Sequence, residues 1–287
     1  MKLINSPLVQ KNKKYILITL ICFFLLLFDT LLNNAIVEMS FKYLIQVSFR
    51  KMINQEFGNY FSYMYQLIKN NLGAFDYVII YGTRLYQVYV AILSASGSLF
   101  FVDYLKTSST IEMYRVENKR KFIINKVLFF AAKLGTSIFV SFLLFYILEF
   151  LISSTPEWYT PLERELFVDW FGEEIYLNHM YFYYLIDGFI RFFFVPFVLC
   201  LFGNCIAILT KRNFDTFVSV NFFYFGFAVL SFPLLRFSWG IYVSPATILC
   251  SGAYVDCSTI GCFLIYIMSL ISSVIMLSYI TRRKEIL

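Results

Sequence analysis

Charge is scarce in this chain. Asp, Glu, Lys and Arg make up only 15% of its 287 residues, against about 25% in soluble domains. No polar stretch is long enough to fold as a separate soluble domain, so residues 1–287 read as one transmembrane domain. Histidine is nearly absent: His179 is the only one, and no H-E-x-x-H pattern exists for a zinc hydrolase. The phosphate-binding loop G-x-x-x-x-G-K-[ST] is missing too, so any ATP-driven work needs an ATPase on a separate polypeptide. G-x-S-x-G is absent. The six cysteines form no C-x-x-C pair and no Cys/His cluster, which argues against a metal site. Cys22, Cys200, Cys205 and Cys262 sit in apolar runs as inert packing residues. Cys250 and Cys257 share one outer loop, and a disulfide between them stays open. No A-x-A cleavage site interrupts the apolar run that starts at Tyr15, so that run reads as a retained span.

What the chain has in abundance is apolar surface. Hydrophobic residues make up 60%, with 35 Phe and 22 Tyr. A soluble fold of this length could not bury that much. The expected class is an all-α integral membrane protein, since helices satisfy their own backbone groups in lipid. Six spans are expected, at about 15–36, 77–102, 122–152, 181–209, 216–237 and 259–280. Residues 1–14 read as an interfacial helix on the inner surface, and residues 38–76 as an amphipathic helix on the outer one. Lys and Arg orient the bundle: fourteen fall in the segments assigned inside and five in those assigned outside. Both termini are therefore expected in the cytoplasm of a multi-pass protein in the cell membrane. The net charge of +6 comes from these span ends, so no nucleic-acid partner is expected and the bilayer is the partner that composition names.

Between the second and third spans lies a polar island, Asp103–Lys126. Ser109 and Glu112 have the S-x-x-E spacing of a capping box, so a short helix can begin there. Thr110 follows the cap. On that helix Ile111 and Tyr114 share a face, while Arg115, Glu117 and Lys119 offer charge. With Lys106, Arg120 and Lys121 the island is basic, as a cytoplasmic loop should be. Such a helix, held between two spans, could take a push from a partner. An ordinary solvated loop with a basic flank has the same composition.

Charges inside the spans are costly and so informative. Asp187 and Arg191 are spaced i,i+4 and can pair on one helix. Arg84, Glu149 and Arg236 fall at outer span ends, where they can cluster or snorkel. Lys133 lies twelve residues past Lys121, about 18 Å along a helix. Asp29 and Lys133 are the strongest choices for a polar element in the bundle, and Lys133 can alternatively reach back to the inner headgroups. Together Asp29, Lys133, Asp187 and Arg191 are the residues that could line a cavity. Pro196, Pro233 and Gly203 are positions where spans can kink.

The layout resembles the permease subunit of ABC exporters of the second type. The residues that carry this are Asp103, then Thr107-Ser108-Ser109-Thr110, Arg115, Lys119-Arg120-Lys121-Phe122 and Lys126, which look like the family's coupling helix. The chain lacks the Gly often found near Thr107–Thr110, and its segment 38–76 is longer than in simple members. The resemblance implies ATPase docking at Lys106, Ser109, Thr110, Ile111, Glu112, Tyr114, Arg115, Glu117 and Lys119. It also implies a second permease copy, identical or related, and ATP and Mg bound by the partner ATPase, with no cofactor in this chain. The cargo would be hydrophobic or amphipathic, such as a peptide, a bacteriocin or a drug-like molecule. The competing reading is a non-transporting membrane protein, an intramembrane enzyme or a sensor subunit, using Asp29, Asp187 and His179.

Overall fold

A computed structural model describes residues 7–33, 75, 78–79, 83, 85–152, 170, 172–234, 237, 242–249 and 259–282. The expected outer helix within 38–76, the side chains of Arg84 and Arg236, and the pair Cys250 and Cys257 lie outside the described residues. Among the described residues every regular element is a helix, with no strand. In order these are α1 (Pro7–Asn33), α2 (Tyr86–Thr107), α3 (Ser109–Tyr114), α4 (Lys119–Ile152), α5 (Glu173–Asn178), α6 (Met180–Thr210), α7 (Asn213–Leu234), α8 (Thr259–Cys262) and α9 (Leu264–Arg282). Five of them, α2, α4, α6, α7 and α9, contain runs long and apolar enough to cross a membrane.

The boundaries differ from expectation where local chemistry overrides hydropathy. Residues 7–14 do not form a separate surface helix but run straight into the apolar stretch as one helix, α1. Pro7 suits a first turn, and nothing between Lys14 and Tyr15 breaks helix. α2 starts at Tyr86 and continues to Thr107, so Asp103 and Lys106 are helical rather than part of a loop. The last expected span is divided at Phe263 into α8 and α9.

α6 is the centre of the bundle. In its apolar window 67% of residues are buried inside the protein, against 22% in α7, so α6 is core while α7 mostly faces outward. α2, α4, α7 and α9 all pack against the half Val195–Thr210, and α1 packs on α4. Small residues allow the close approach. A Cβ on Gly203 would collide with Ser98 and Val220, and one on Gly135 would lie 2.9 Å from the Phe193 carbonyl. Polar side chains join the helices: Asn204 donates to the Val127 carbonyl at 3.1 Å, Ser141 to that of Thr19 at 2.9 Å, and Tyr224 to that of Gln87 at 2.6 Å. Bonds of this kind contribute about 0.6 kcal/mol each in membrane bundles.

α6 is not uniformly α-helical. Ile190–Phe194 is a π-helical turn, and the Val195 N–H bonds the Ile190 carbonyl. Pro196 follows directly. Its ring cannot accept the Phe192 carbonyl beneath it and supplies no N–H, so widening the preceding turn relieves the clash. α6 ends at Lys211, whose left-handed φ of 54° lets its N–H bond the Ala207 carbonyl at 2.9 Å.

Candidate docking face at one end of the bundle

Four long helices bring polar ends together around α3. Lys14 of α1 pairs with Asp103 of α2 at 2.7 Å. Lys106, near the end of α2, donates to Asn213 Oδ1 at the start of α7 at 2.9 Å. α3 is tied on two sides through Glu112: its carboxylate accepts from Tyr104 Oη of α2 at 2.8 Å and pairs with Lys126 of α4 at 2.7 Å. The Lys126 ammonium also lies 5.1 Å from the ring centroids of Tyr104 and Phe122, a cation–π arrangement. α4 begins after Asn118, whose side chain accepts the Lys121 N–H at 3.1 Å as an N-cap does.

The expected short helix is present, but the expected capping box is not. Ser109 is already the first helical residue, and its hydroxyl donates back to the Leu105 carbonyl at 2.6 Å. Ser108, the residue in the cap position, has helical φ and ψ and makes no side-chain cap bond. A capping box needs an extended cap residue. Here α2 runs almost directly into α3, the Ser108 carbonyl accepts the Glu112 N–H, and the Glu112 carboxylate is left for Tyr104 and Lys126.

Burial divides the island into an anchored side and an open one. Ser109 is buried and Met113 packs against the core. Ile111 is 60% exposed and Tyr114 83% exposed. Lys106, Arg115, Glu117 and Lys119 are exposed, and Thr110 lies in the second position of α3. Tyr104 is a further anchor and Phe214 a further projecting residue. Phe214 is 76% exposed one position beyond the Asn213 that Lys106 holds. Neither had a local signal: Tyr104 looks like the end of a span and Phe214 like the beginning of one.

The four charges expected inside the bundle, Asp29, Lys133, Asp187 and Arg191, sit elsewhere and are engaged. Arg191 Nε donates to Asp187 Oδ1 at 2.6 Å, as the i,i+4 spacing predicts, but neither side chain snorkels. Arg191 is 1% exposed and Asp187 3%. The neighbouring Phe192 is stacked between Tyr86 and Phe142, at 4.1 and 4.5 Å, and Tyr86 Oη donates to the Arg191 carbonyl at 3.2 Å. Asp29 is fully buried on α1, and its carboxylate accepts the Leu85 N–H at 2.6 Å. It thus caps α2 from a different helix, negative charge against the positive end of the dipole. Lys133 Nζ lies 4.3 Å from the Tyr15 ring centroid. Tyr15 adjoins Lys14, so Lys133 points back towards the polar end. Glu149 is 3% exposed, and its Oε2 meets no donor among the described residues. His179 is exposed between α5 and α6. Cys22, Cys200, Cys205 and Cys262 are free and buried. No group of His, Cys, Asp or Glu able to hold a metal ion exists among the described residues.

A multi-pass helical protein with an anchored, outward-facing helix at its polar end matches no family model, no curated protein and no solved structure.

Proposed function

We propose that the chain is the permease subunit of an ATP-driven exporter of the second ABC type, with α3 as the helix on which a cytoplasmic ATPase seats. In this reading α1 supplies a sixth span, both termini are cytoplasmic, and a second permease copy completes the transporter. The observation that carries it is the double tie of Glu112. α3 presents Ile111 and Tyr114 outward while its one carboxylate grips α2 through Tyr104 and α4 through Lys126. A push on the open face therefore reaches two long apolar helices at once. A solvated loop needs no such anchorage.

The enzyme reading has less support. Asp29 is occupied as a cap and Asp187 by Arg191, so neither is presented as an acid or base, and His179 sits exposed at a helix junction. The test is co-expression with a candidate ABC ATPase encoded beside this chain, followed by purification through a tag on this chain. A complex with ATP hydrolysis is expected. Reversing charge with Arg115→Glu and Glu117→Lys should leave the permease folded and separate hydrolysis from transport. A chain that never retains the ATPase when it is supplied contradicts the proposal.

A further inference from the structure

The seam between α1 and α4 is tied by hydrogen bonds on the bundle side of Tyr15 and loosens towards the polar end. Thr19 Oγ1 donates to the Ser137 carbonyl at 3.1 Å, and Ser141 Oγ donates to the Thr19 carbonyl at 2.9 Å. One turn nearer the polar end, Tyr15 faces Lys133, whose ammonium lies 4.3 Å from the ring centroid. Tyr15 is buried, but Lys133 is only half-buried. Phe129, one further turn along α4, is 56% exposed, and its ring centroid is 5.7 Å from Lys133 Nζ. On α1 the matching turn holds Lys11, in line with Tyr15 and Thr19 at i,i+4 spacing. Each helix thus carries a lysine at the level where the seam opens. The same level is the edge of the apolar zone. Lys14 pairs there with Asp103 of α2 and lies 5.0 Å from the Phe100 ring centroid, and Phe100 packs on Tyr15 at 5.5 Å. Lys11, Lys14 and Lys133 therefore stand against Asp103 alone, and the corner carries excess positive charge.

We infer that the mouth of the α1–α4 seam binds one anionic phospholipid from the leaflet at the polar end. Its phosphate sits between Lys133 and Lys11, where ammonium groups at the edge of a low-dielectric zone attract it strongly. Its acyl chains lie along the exposed side chains of Ile16 and Leu20 on α1 and Val140 on α4. A zwitterionic headgroup brings no net charge to match the excess, and a soluble phosphate leaves the apolar flank unused. The inference stands whether or not α3 seats an ATPase.

The experiment is native mass spectrometry of the full-length chain released from nanodiscs of dioleoylphosphatidylglycerol and dioleoylphosphatidylcholine in equal parts. The chain should retain phosphatidylglycerol in preference to phosphatidylcholine, by about fivefold for each of the two lysines. Lys133→Gln should cut that preference about fivefold, and Lys133→Arg should keep it. Lys119→Gln, a charge lost elsewhere on the polar end, should leave it unchanged. Lys11→Gln alters only the polar start of α1 and should cut the preference as Lys133→Gln does, so it decides the matter if Lys133→Gln fails to assemble. No preference in the unaltered chain, or an undiminished preference in either glutamine variant, overturns the inference. An equal loss from Lys119→Gln also overturns it, since the attraction would then be diffuse. Excess glycerol 3-phosphate should not displace the lipid, and displacement would assign the lysines to a soluble phosphate compound instead.

Discussion

Glu112 shares its carboxylate between Tyr104 and Lys126 at the open end of the bundle, with 41% of its side chain exposed. Asp187 holds Arg191 at nearly the same distance with almost no exposure. The geometries are alike, but the physics differs. Water screens the first pair, so it contributes at most about 1 kcal/mol and can be broken and remade at little cost. The second pair has given up its hydration, so losing either partner strands a buried charge. Charges that can change partners at little cost lie at the polar end, and charges that cannot lie inside the bundle.

Breaking the buried pair should have the largest effect. Arg191→Ala is expected to cost about 3–5 kcal/mol, read as loss of the folded, detergent-soluble protein or a large fall in Tm. The double change Asp187→Leu with Arg191→Met should recover most of that loss, because no charge remains to be stranded. If the double variant were as damaged as the single one, the pair would have a role beyond its own neutralisation. Next comes Gly188→Ala, whose new methyl would run into the Phe142 ring. Overpacking of this kind costs about 1–3 kcal/mol, and Phe142→Leu in the same chain should restore stability.

A smaller effect is expected from Asp29→Asn, which keeps a hydrogen-bond acceptor for the Leu85 N–H but removes the charge at the start of α2. It should cost about 1 kcal/mol, measured as a modest fall in Tm. The smallest effect on stability belongs to Glu112→Gln, within about 1 kcal/mol, and here the comparison sharpens. Tm should barely move while transport per ATP hydrolysed falls sharply. An equal loss of stability and coupling would make Glu112 a structural residue like Asp187.

The sequence disclosed some of this more readily than the rest. The i,i+4 spacing of Asp187 and Arg191 was enough to foresee their pairing, because helix geometry alone brings them together. Their burial was not foreseeable, since it depends on Tyr86 and Phe142 closing over the α6 turn from other helices. Hydropathy located the apolar runs, and Pro196 marked the disturbance in α6 but not its π-helical form. Ser109 and Glu112 misled in detail: their spacing fits a capping box, but the helical backbone at Ser108 leaves no cap to make. The cap that Asp29 makes on α2 joins residues 56 apart in the chain, and no local pattern announces a contact of that range.

The most direct test of the central claim is the side of the membrane on which α3 stands. Tyr114→Cys, with Cys250 and Cys257 replaced by Ser, can be challenged with a membrane-impermeant maleimide in intact cells and again in inverted vesicles. Labelling is expected only in the inverted vesicles, and it should be lost when the ATPase is bound. Labelling in intact cells would put α3 outside, where no cytoplasmic ATPase could reach it, and would overturn the assignment of α3 as its seat.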